Sequence, residues 1–386
     1  MVYQQSFLFY NIVMKNTRLT QLNTHRDAWV EINLDYIAHN VSEFRKNIPS
    51  DKKILGIVKA DAYGHGATMV APTMLASGID MLGVASIDEG LDLRREKINC
   101  DILVVGAVPV WSFEIAAENN IAVSIFSDKH LEACQQAYER TGVKPQVHIK
   151  LDTGMNRIGL EPDYAVEFIR KVQKADFLEF KGIFTHLANA EIKEETQKQF
   201  DCWNSIIDQI DTTGLLLHIL NTAGSMTYDV HSNMVRMGIA IYGLYPDLEK
   251  DLKFYPELKQ VMGLKGRITN IHIMKKGQGI SYGYSYKADK DIKVATIPIG
   301  YADGVPRALS NKIYGEINGQ KIKQIGNITM DQMMFDISGL DVSEGDVITL
   351  LNDKDLLIDD WAKIVGTINY ELTCRLKVRL PRVYVR

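Results

Sequence analysis

The sequence predicts an α/β protein in which a (β/α)8 barrel is followed by a mostly antiparallel β domain. Three observations lead to that reading. Between Ile54 and Ile241, eight short apolar runs alternate with longer amphipathic stretches, the pattern of a parallel sheet covered by helices. Beyond about residue 262 the runs alternate in polarity or carry β-branched residues, and turn signals separate them. The polar residues that interrupt the early runs fall at their carboxyl ends, where barrel enzymes place their chemistry.

In chain order, 28–34 alternates like a strand, and Asp35 reads as the N-cap of a helix over 36–47. The eight barrel runs are 54–58, 81–85, 102–106, 121–125, 146–151, 182–185, 216–220 and 237–242. Helical spacing marks 129–140, 163–174 and 194–210 between them, with a shorter stretch at 112–120. Eight regular units favour a closed barrel over an open doubly wound sheet. The later strands are 264–274, 292–298, 313–317, 321–328, 332–337, 346–351 and 374–380, with one helix near 358–366. Lys276-Gly277, Asn318-Gly319 and Ser338-Gly339 supply turns. The domain plan is an extension over 1–26, expected to be disordered, a barrel over 36–261, and a β domain built from 27–35 and 262–386. Met14 is an alternative start.

The bulk properties narrow the function. A chain of 386 residues that is 46% hydrophobic and 24% charged has the composition of an ordinary soluble globular protein. Its net charge of −4 gives no reason to expect nucleic acid or an anionic membrane as a partner. No apolar run approaches the roughly 20 residues that span a bilayer. Cys100, Cys134, Cys202 and Cys374 are scattered, which argues for reduced thiols in the cytoplasm and against a metal site.

Lys59 closes the run Ile54–Val58 and opens the small-residue loop Ala60-Asp61-Ala62-Tyr63-Gly64-His65-Gly66. A desolvated lysine has a lowered pKa and serves as nucleophile, base or Schiff-base former. Lys150 and Asp152 end the fifth run, with Arg157 shortly after; His186 follows the sixth, and Asn221 and Thr222 the seventh. Arg236 precedes the eighth. Each has a plainer alternative: a snorkelling Lys59, a surface Lys150–Asp152 pair, a structural His186, an exposed Arg157, a turn-capping Arg236. Their convergence on one barrel face argues against all of these holding at once. Thr222-Ala223-Gly224 and Gly238-Ile239 offer small residues and free amides suited to phosphate. A Schiff-base lysine opposite a phosphate cradle suggests pyridoxal 5′-phosphate.

From Trp29 to the C-terminus the chain resembles the bacterial alanine racemases. The resemblance rests on Val58–Gly66, Lys150–Arg157, Ser281-Tyr282-Gly283, Gly300-Tyr301-Ala302-Asp303-Gly304, Thr329-Met330-Asp331-Gln332 and Gly366–Glu371, in that order. It implies pyridoxal 5′-phosphate held on Lys59, which also acts as one proton-transfer base. Tyr282 is implied as the second base, reaching the pocket of a partner subunit, so the active protein would be a homodimer with shared sites. It further implies phosphate contacts from Tyr63, Thr222, Tyr370 and the backbone at Gly238 and Ile239. Arg157 and the Met330 backbone would hold the substrate carboxylate, with Tyr301 near the entrance. Lys150 matches a position that can be carbamylated to orient Arg157. His186 and Arg236 match residues that couple to the tyrosine base, whose ordinary pKa near about 10 is otherwise too high. Arg236 would face the cofactor's ring nitrogen. Supply of D-alanine for peptidoglycan is the implied purpose.

Asp61, Asn156 and Leu187-Ala188-Asn189-Ala190 depart from common family forms and leave substrate breadth open. A serine or broad-spectrum racemase would keep nearly every motif. A decarboxylase of this architecture would lack Ser281-Tyr282-Gly283 and carry a late catalytic cysteine, whereas Cys374 reads as core of the run 374–380. A single-barrel cofactor carrier would have no C-terminal β domain.

Overall fold

Strand β1 (Ala28–Asn33) opens the fold in the computed structural model, which describes residues 25–247 and 252–386. The extension expected over 1–26 lies outside the described residues except for its last two. Arg26 reaches the buried Asp303 through two hydrogen bonds of 2.5 and 2.6 Å, and the Pro298 carbonyl at 2.9 Å. The helix after β1 spans Leu34–Arg45, and its cap is Asn33 rather than Asp35. Asn33 Oδ1 accepts the Tyr36 N–H at 3.1 Å, which leaves the Asp35 carboxylate in the first turn, where it faces the positive end of the helix dipole.

The barrel strands are β2 (Lys53–Ile57), β3 (Met81–Val84), β4 (Ile102–Ala107), β5 (Ile121–Ile125), β6 (Gln146–Lys150), β7 (Glu179–Phe184), β8 (Leu216–His218) and β9 (Met234–Met237). All run parallel in the order β8-β7-β6-β5-β4-β3-β2-β9. Two backbone hydrogen bonds knit the last seam, Asn233 N–H to Leu217 O at 3.1 Å and Arg236 N–H to Leu220 O at 2.9 Å. The connecting helices begin and end on local signals. Ser127 caps Asp128–Thr141, Gly142 terminates it at φ 70°, and Pro162 opens Pro162–Gln173. The eighth apolar run was displaced: the strand is Met234–Met237, with Arg236 inside it, and Ile239–Tyr242 is a buried 3-10 turn. That turn is apolar because it packs under the Leu34–Arg45 helix, where Asn40 Nδ2 donates to the Ile241 carbonyl at 3.1 Å.

The remaining strands are β10 (Met262–Arg267), β11 (Asn270–Met274), β12 (Gly279–Ile280), β13 (Tyr286–Lys287), β14 (Ile292–Ile297), β15 (Tyr314–Ile317), β16 (Gln320–Ile325), β17 (Met333–Asp336), β18 (Val347–Leu351) and β19 (Arg382–Val385). Nine strands form one sheet in the order β11-β14-β17-β16-β15-β18-β10-β1-β19, and β12 with β13 make a separate hairpin. Only the β1–β19 pair is parallel. The strand expected at 374–380 is absent. Asn369–Arg375 is a helix packed against the helix Ile358–Val365, and the final strand lies at β19. Cys374 is therefore an exposed helix residue, not core. Among the described residues no helix is long and apolar enough to cross a membrane.

Candidate active site

A cavity of about 590 Å³ opens at the carboxyl ends of the barrel strands. Lys59, Tyr63, Lys150, Arg157, His186, Asn221, Thr222, Arg236, Gly238, Ile239 and Tyr370 all line it.

Lys59 owes its position to a left-handed turn. Ala60, Asp61, Ala62 and Tyr63 all have φ between 53° and 55°, a conformation that costs L-residues roughly 1–2 kcal/mol each. Side chains hold the turn. Glu89 Oε1 accepts the Ala60 N–H at 2.8 Å, and Asp61 Oδ1 accepts the Ala67 N–H at 2.7 Å. His65, wholly buried, faces the Ala62 and Tyr63 carbonyls with Nδ1 at 2.9 and 3.1 Å, so that nitrogen carries the proton. Burial, then the Arg157 charge, pulls the Lys59 amine below the usual lysine range.

The opposite wall is cationic and largely dry. Lys150 is 2% exposed, which excludes a surface pair, and its Nζ has no hydrogen-bond partner among the described residues. It sits 5.0 Å from the Phe184 ring centre. Burial, then Arg236, lowers it to about 7. Arg236 is 4% exposed and donates to the Thr185, His218 and Ile219 carbonyls at 2.8, 2.8 and 3.0 Å. It also donates to His186 Nδ1 at 3.1 Å. A guanidinium has only donors, so the neutral His186 carries its proton on Nε2. Burial and the surrounding cations hold His186 well below the usual histidine range.

The third wall supplies hydroxyls. The Tyr63 and Tyr370 rings lie 6.1 Å apart, and burial holds both phenols above the usual tyrosine range, so they remain donors. Asn221 caps the short helix Thr222–Thr227 through the Gly224 N–H at 2.8 Å. Thr222 Oγ1 accepts the Gly238 N–H at 2.9 Å, so that amide is already paired within the chain. A Cβ at Gly238 would lie 3.3 Å from the Tyr63 hydroxyl and fill the space between the walls.

Five basic side chains, Lys59, Lys150, Arg157, Arg236 and Arg375, thus line a cavity whose lining includes one carboxylate, Glu371, and that carboxylate is paired with Arg375 at 3.0 Å. The Arg157 guanidinium forms no ion pair among the described residues, and the Arg236 Nε–H has no partner among them. This donor set suits a small molecule that carries both a phosphate and a carboxylate.

Residues 32–246 match the family model for the alanine racemase N-terminal domain, and residues 261–384 match that for the C-terminal domain. The chain belongs to the alanine racemase family. It is 40% identical over 380 residues to the alanine racemase of a Nostoc species, covering 93% of this chain and 96% of that one. Its structure is similar to alanine racemase of Clostridium difficile, with a TM-score of 0.88, 37% identity, and 94% and 96% of the two chains covered. A histidine racemase from Leuconostoc mesenteroides is also similar, with a TM-score of 0.86, 28% identity, and 94% and 99% covered.

Against that family background, Tyr282, Tyr301 and Met330 form a separate group. None of them lines the cavity, and they are 72%, 40% and 53% exposed. Tyr282 stands on a strained turn in which Ser281, Gly283 and Tyr284 have φ of 63°, 72° and 49°. Asn327 clamps it, with its Nδ2 donating to the Tyr282 carbonyl at 2.6 Å and its carbonyl accepting from the Ser281 hydroxyl at 2.7 Å. Tyr301 and Met330 belong to neighbouring loops joined by Ala302 N–H to Met330 O at 2.9 Å.

The sequence reading missed Phe184, Ile368, Glu371, Cys374 and Arg375 at the cavity wall. It also passed over His148 and His218, which lie inside the apolar runs 146–151 and 216–220. The alternation of His148 with Lys150 along β6 was the available signal, since residues two apart share a strand face.

Proposed function

We propose that this chain is a pyridoxal 5′-phosphate-dependent alanine racemase that interconverts L- and D-alanine by a two-base mechanism. The observation that carries the reading is one barrel-mouth cavity faced by a desolvated lysine amine and by the Arg157 guanidinium, which forms no ion pair among the described residues. The bound cofactor supplies an electron sink that acidifies the substrate Cα–H.

Tyr63, Thr222, Tyr370 and the backbone at Ile239 would hold its phosphate, and Lys59 its aldehyde carbon. The Arg236 Nε–H would face the ring nitrogen; a guanidinium there stays charged and leaves that nitrogen unprotonated. Arg157, with the Met330 backbone, would pair with the substrate carboxylate, and Tyr301 would stand at the entrance. Racemisation removes a proton from one face of Cα and returns one to the other, so it needs two groups. Lys59 takes or gives the proton at Nζ on one face, where its lowered pKa favours the neutral amine. Tyr282, contributed by a second copy in a homodimer, works at Oη on the other. The His186 Nε2–H donates toward that oxygen and lowers the cost of its phenolate form. Lys150 has a buried amine, unpartnered among the described residues and able to add carbon dioxide, and the resulting carboxylate would brace Arg157. The product serves peptidoglycan synthesis in the cytoplasm.

A broader substrate range is the second reading, favoured by the histidine racemase of the same fold. A panel of L-amino acids incubated with the enzyme in heavy water decides between the two. Rapid α-deuteration of alanine alone supports the alanine racemase, comparable deuteration of serine or histidine supports the broader enzyme, and no exchange with any amino acid ends both. Tyr282→Phe should slow proton abstraction from L-alanine far more than from D-alanine. Equal losses in the two directions would contradict the two-base assignment.

A further inference from the structure

Two buried histidines lie behind the cavity. His148 on β6 is 1% exposed and His218 on β8 is wholly buried, and neither lines the cavity. Their rings meet edge to face, with His148 Nδ1 3.0 Å from His218 Nε2. Phe184 stacks on His218 at 4.8 Å and 7°, which fixes the plane of that imidazole. Room for His148 comes from Gly182 on β7: a Cβ there would lie 2.7 Å from His148 Nδ1 and 2.8 Å from its Cε1. On the far side of His218, Arg236 Nη1 lies 3.3 Å from His218 Nδ1.

Donor and acceptor counting sets the direction of this chain. Arg236 has no lone pair to offer, so His218 Nδ1 must accept and its proton resides on Nε2. A buried N–H needs an acceptor, and His148 Nδ1 is the atom in reach, which puts the His148 proton on Nε2. We propose that His148 is a positioning residue for Arg236, acting through His218 to lock the tautomer that lets the guanidinium keep its place in the cavity wall. The locked chain requires neutral rings, and burial supplies that condition by pushing His148 down to about 3 and His218 well below its usual range. Without the His148 acceptor, His218 either buries an unpaired N–H or turns its N–H against that of Arg236. Both outcomes loosen the guanidinium whose Nε–H faces the cofactor in the function proposed above, on which the kinetic part of this inference rests.

The test uses the cofactor-loaded enzyme with ¹⁵N-labelled histidine and arginine. In the wild type, His218 should show a pyridine-type Nδ1 and a pyrrole-type Nε2, assigned by the signals lost in His218→Asn. His148→Leu should shift the His218 and Arg236 Nε resonances and lower kcat for alanine by roughly tenfold, the cost of one unpaired buried donor. KM should stay within about twofold, since the substrate contacts are untouched. His148→Asn restores an acceptor near the Nδ1 position and should recover the His218 tautomer and most of kcat. A wild-type His218 protonated on Nδ1, or an asparagine variant no better than leucine, would overturn the proposal. Predicted tautomers in a protein that exchanges no amino acid proton would uphold the lock and remove the alanine racemase reading instead.

Discussion

Lys150 shows how much one buried side chain constrains. Its amine is lowered to about 7, so between that pH and the ordinary lysine range the folded protein lacks a proton that the unfolded chain holds. The unfolded state binds more protons there, and the stability contributed by this residue rises with pH across that window. Below about pH 7 both states are protonated and the full penalty of burying the charge applies. Addition of carbon dioxide needs the neutral amine. With ¹³C-bicarbonate, a carbamate carbon signal should therefore be present at about pH 8 and lost by about pH 6, where the amine is mostly charged. Lys150→Ala should abolish the signal at both. Should the brace on Arg157 operate, the same variant should raise KM for alanine several-fold, measured at saturating cofactor. Cys374 is the counter-example among single residues. Its apolar neighbours Leu372 and Leu376 are buried, but the helix turns the thiol outward to the cavity wall, a rotation no linear pattern reports.

At the scale of elements, the left-handed turn after β2 is the feature that tertiary structure imposes on its sequence. Ala60-Asp61-Ala62-Tyr63 contains no glycine, yet all four residues adopt a positive φ. Ala60→Gly should relieve one strained position while adding freedom to the unfolded chain, for a net effect between neutral and about 1 kcal/mol stabilising. The freed backbone should let Lys59 wander, so kcat should fall several-fold while the thermal midpoint holds or rises; turnover and melting, measured on one preparation, check both. Other elements were readable because their local and tertiary demands agree. The runs at 54–58, 81–85, 102–106 and 121–125 are buried strands within a residue or two of their expected bounds, since a parallel strand covered on both faces is apolar throughout. The eighth was misplaced because Arg236 interrupts it: a buried guanidinium satisfied by three carbonyls looks like a loop residue in the sequence. The expected strand at 374–380 failed because the seven-residue helix Asn369–Arg375 is too short to show a period and depends on its packing partner. The barrel half of the site was legible as polar residues at strand ends. Gly182 and Phe184, which seat the buried histidines, were not, because their significance lies in the space between strands.

At the scale of the molecule, the residues assigned to the reaction fall into two groups on one chain, those lining the cavity at the barrel mouth and the exposed Tyr282, Tyr301 and Met330, which do not line it. A shared site makes a direct prediction. Lys59→Ala and Tyr282→Phe homodimers should each be severely impaired, but subunits mixed by unfolding and refolding should regain up to roughly a quarter of wild-type activity, because half the dimers then hold one intact site. Mixing either variant with the double variant should restore nothing, and failure of the first mixture to recover would show that both bases act within one chain. The position of β1 has a different consequence, for synthesis. Its partners β10 and β19 begin at Met262 and Arg382, so at 5–20 residues per second the emerging strand waits roughly ten to fifty seconds for the first and longer for the second. During that interval the barrel is already translated, while Trp29, Val30 and Ile32 remain an unpaired apolar edge open to neighbouring nascent chains. A ribosome stalled between the last barrel strand, Met234–Met237, and β10 at Met262–Arg267 therefore leaves a translated barrel tethered to a sticky strand.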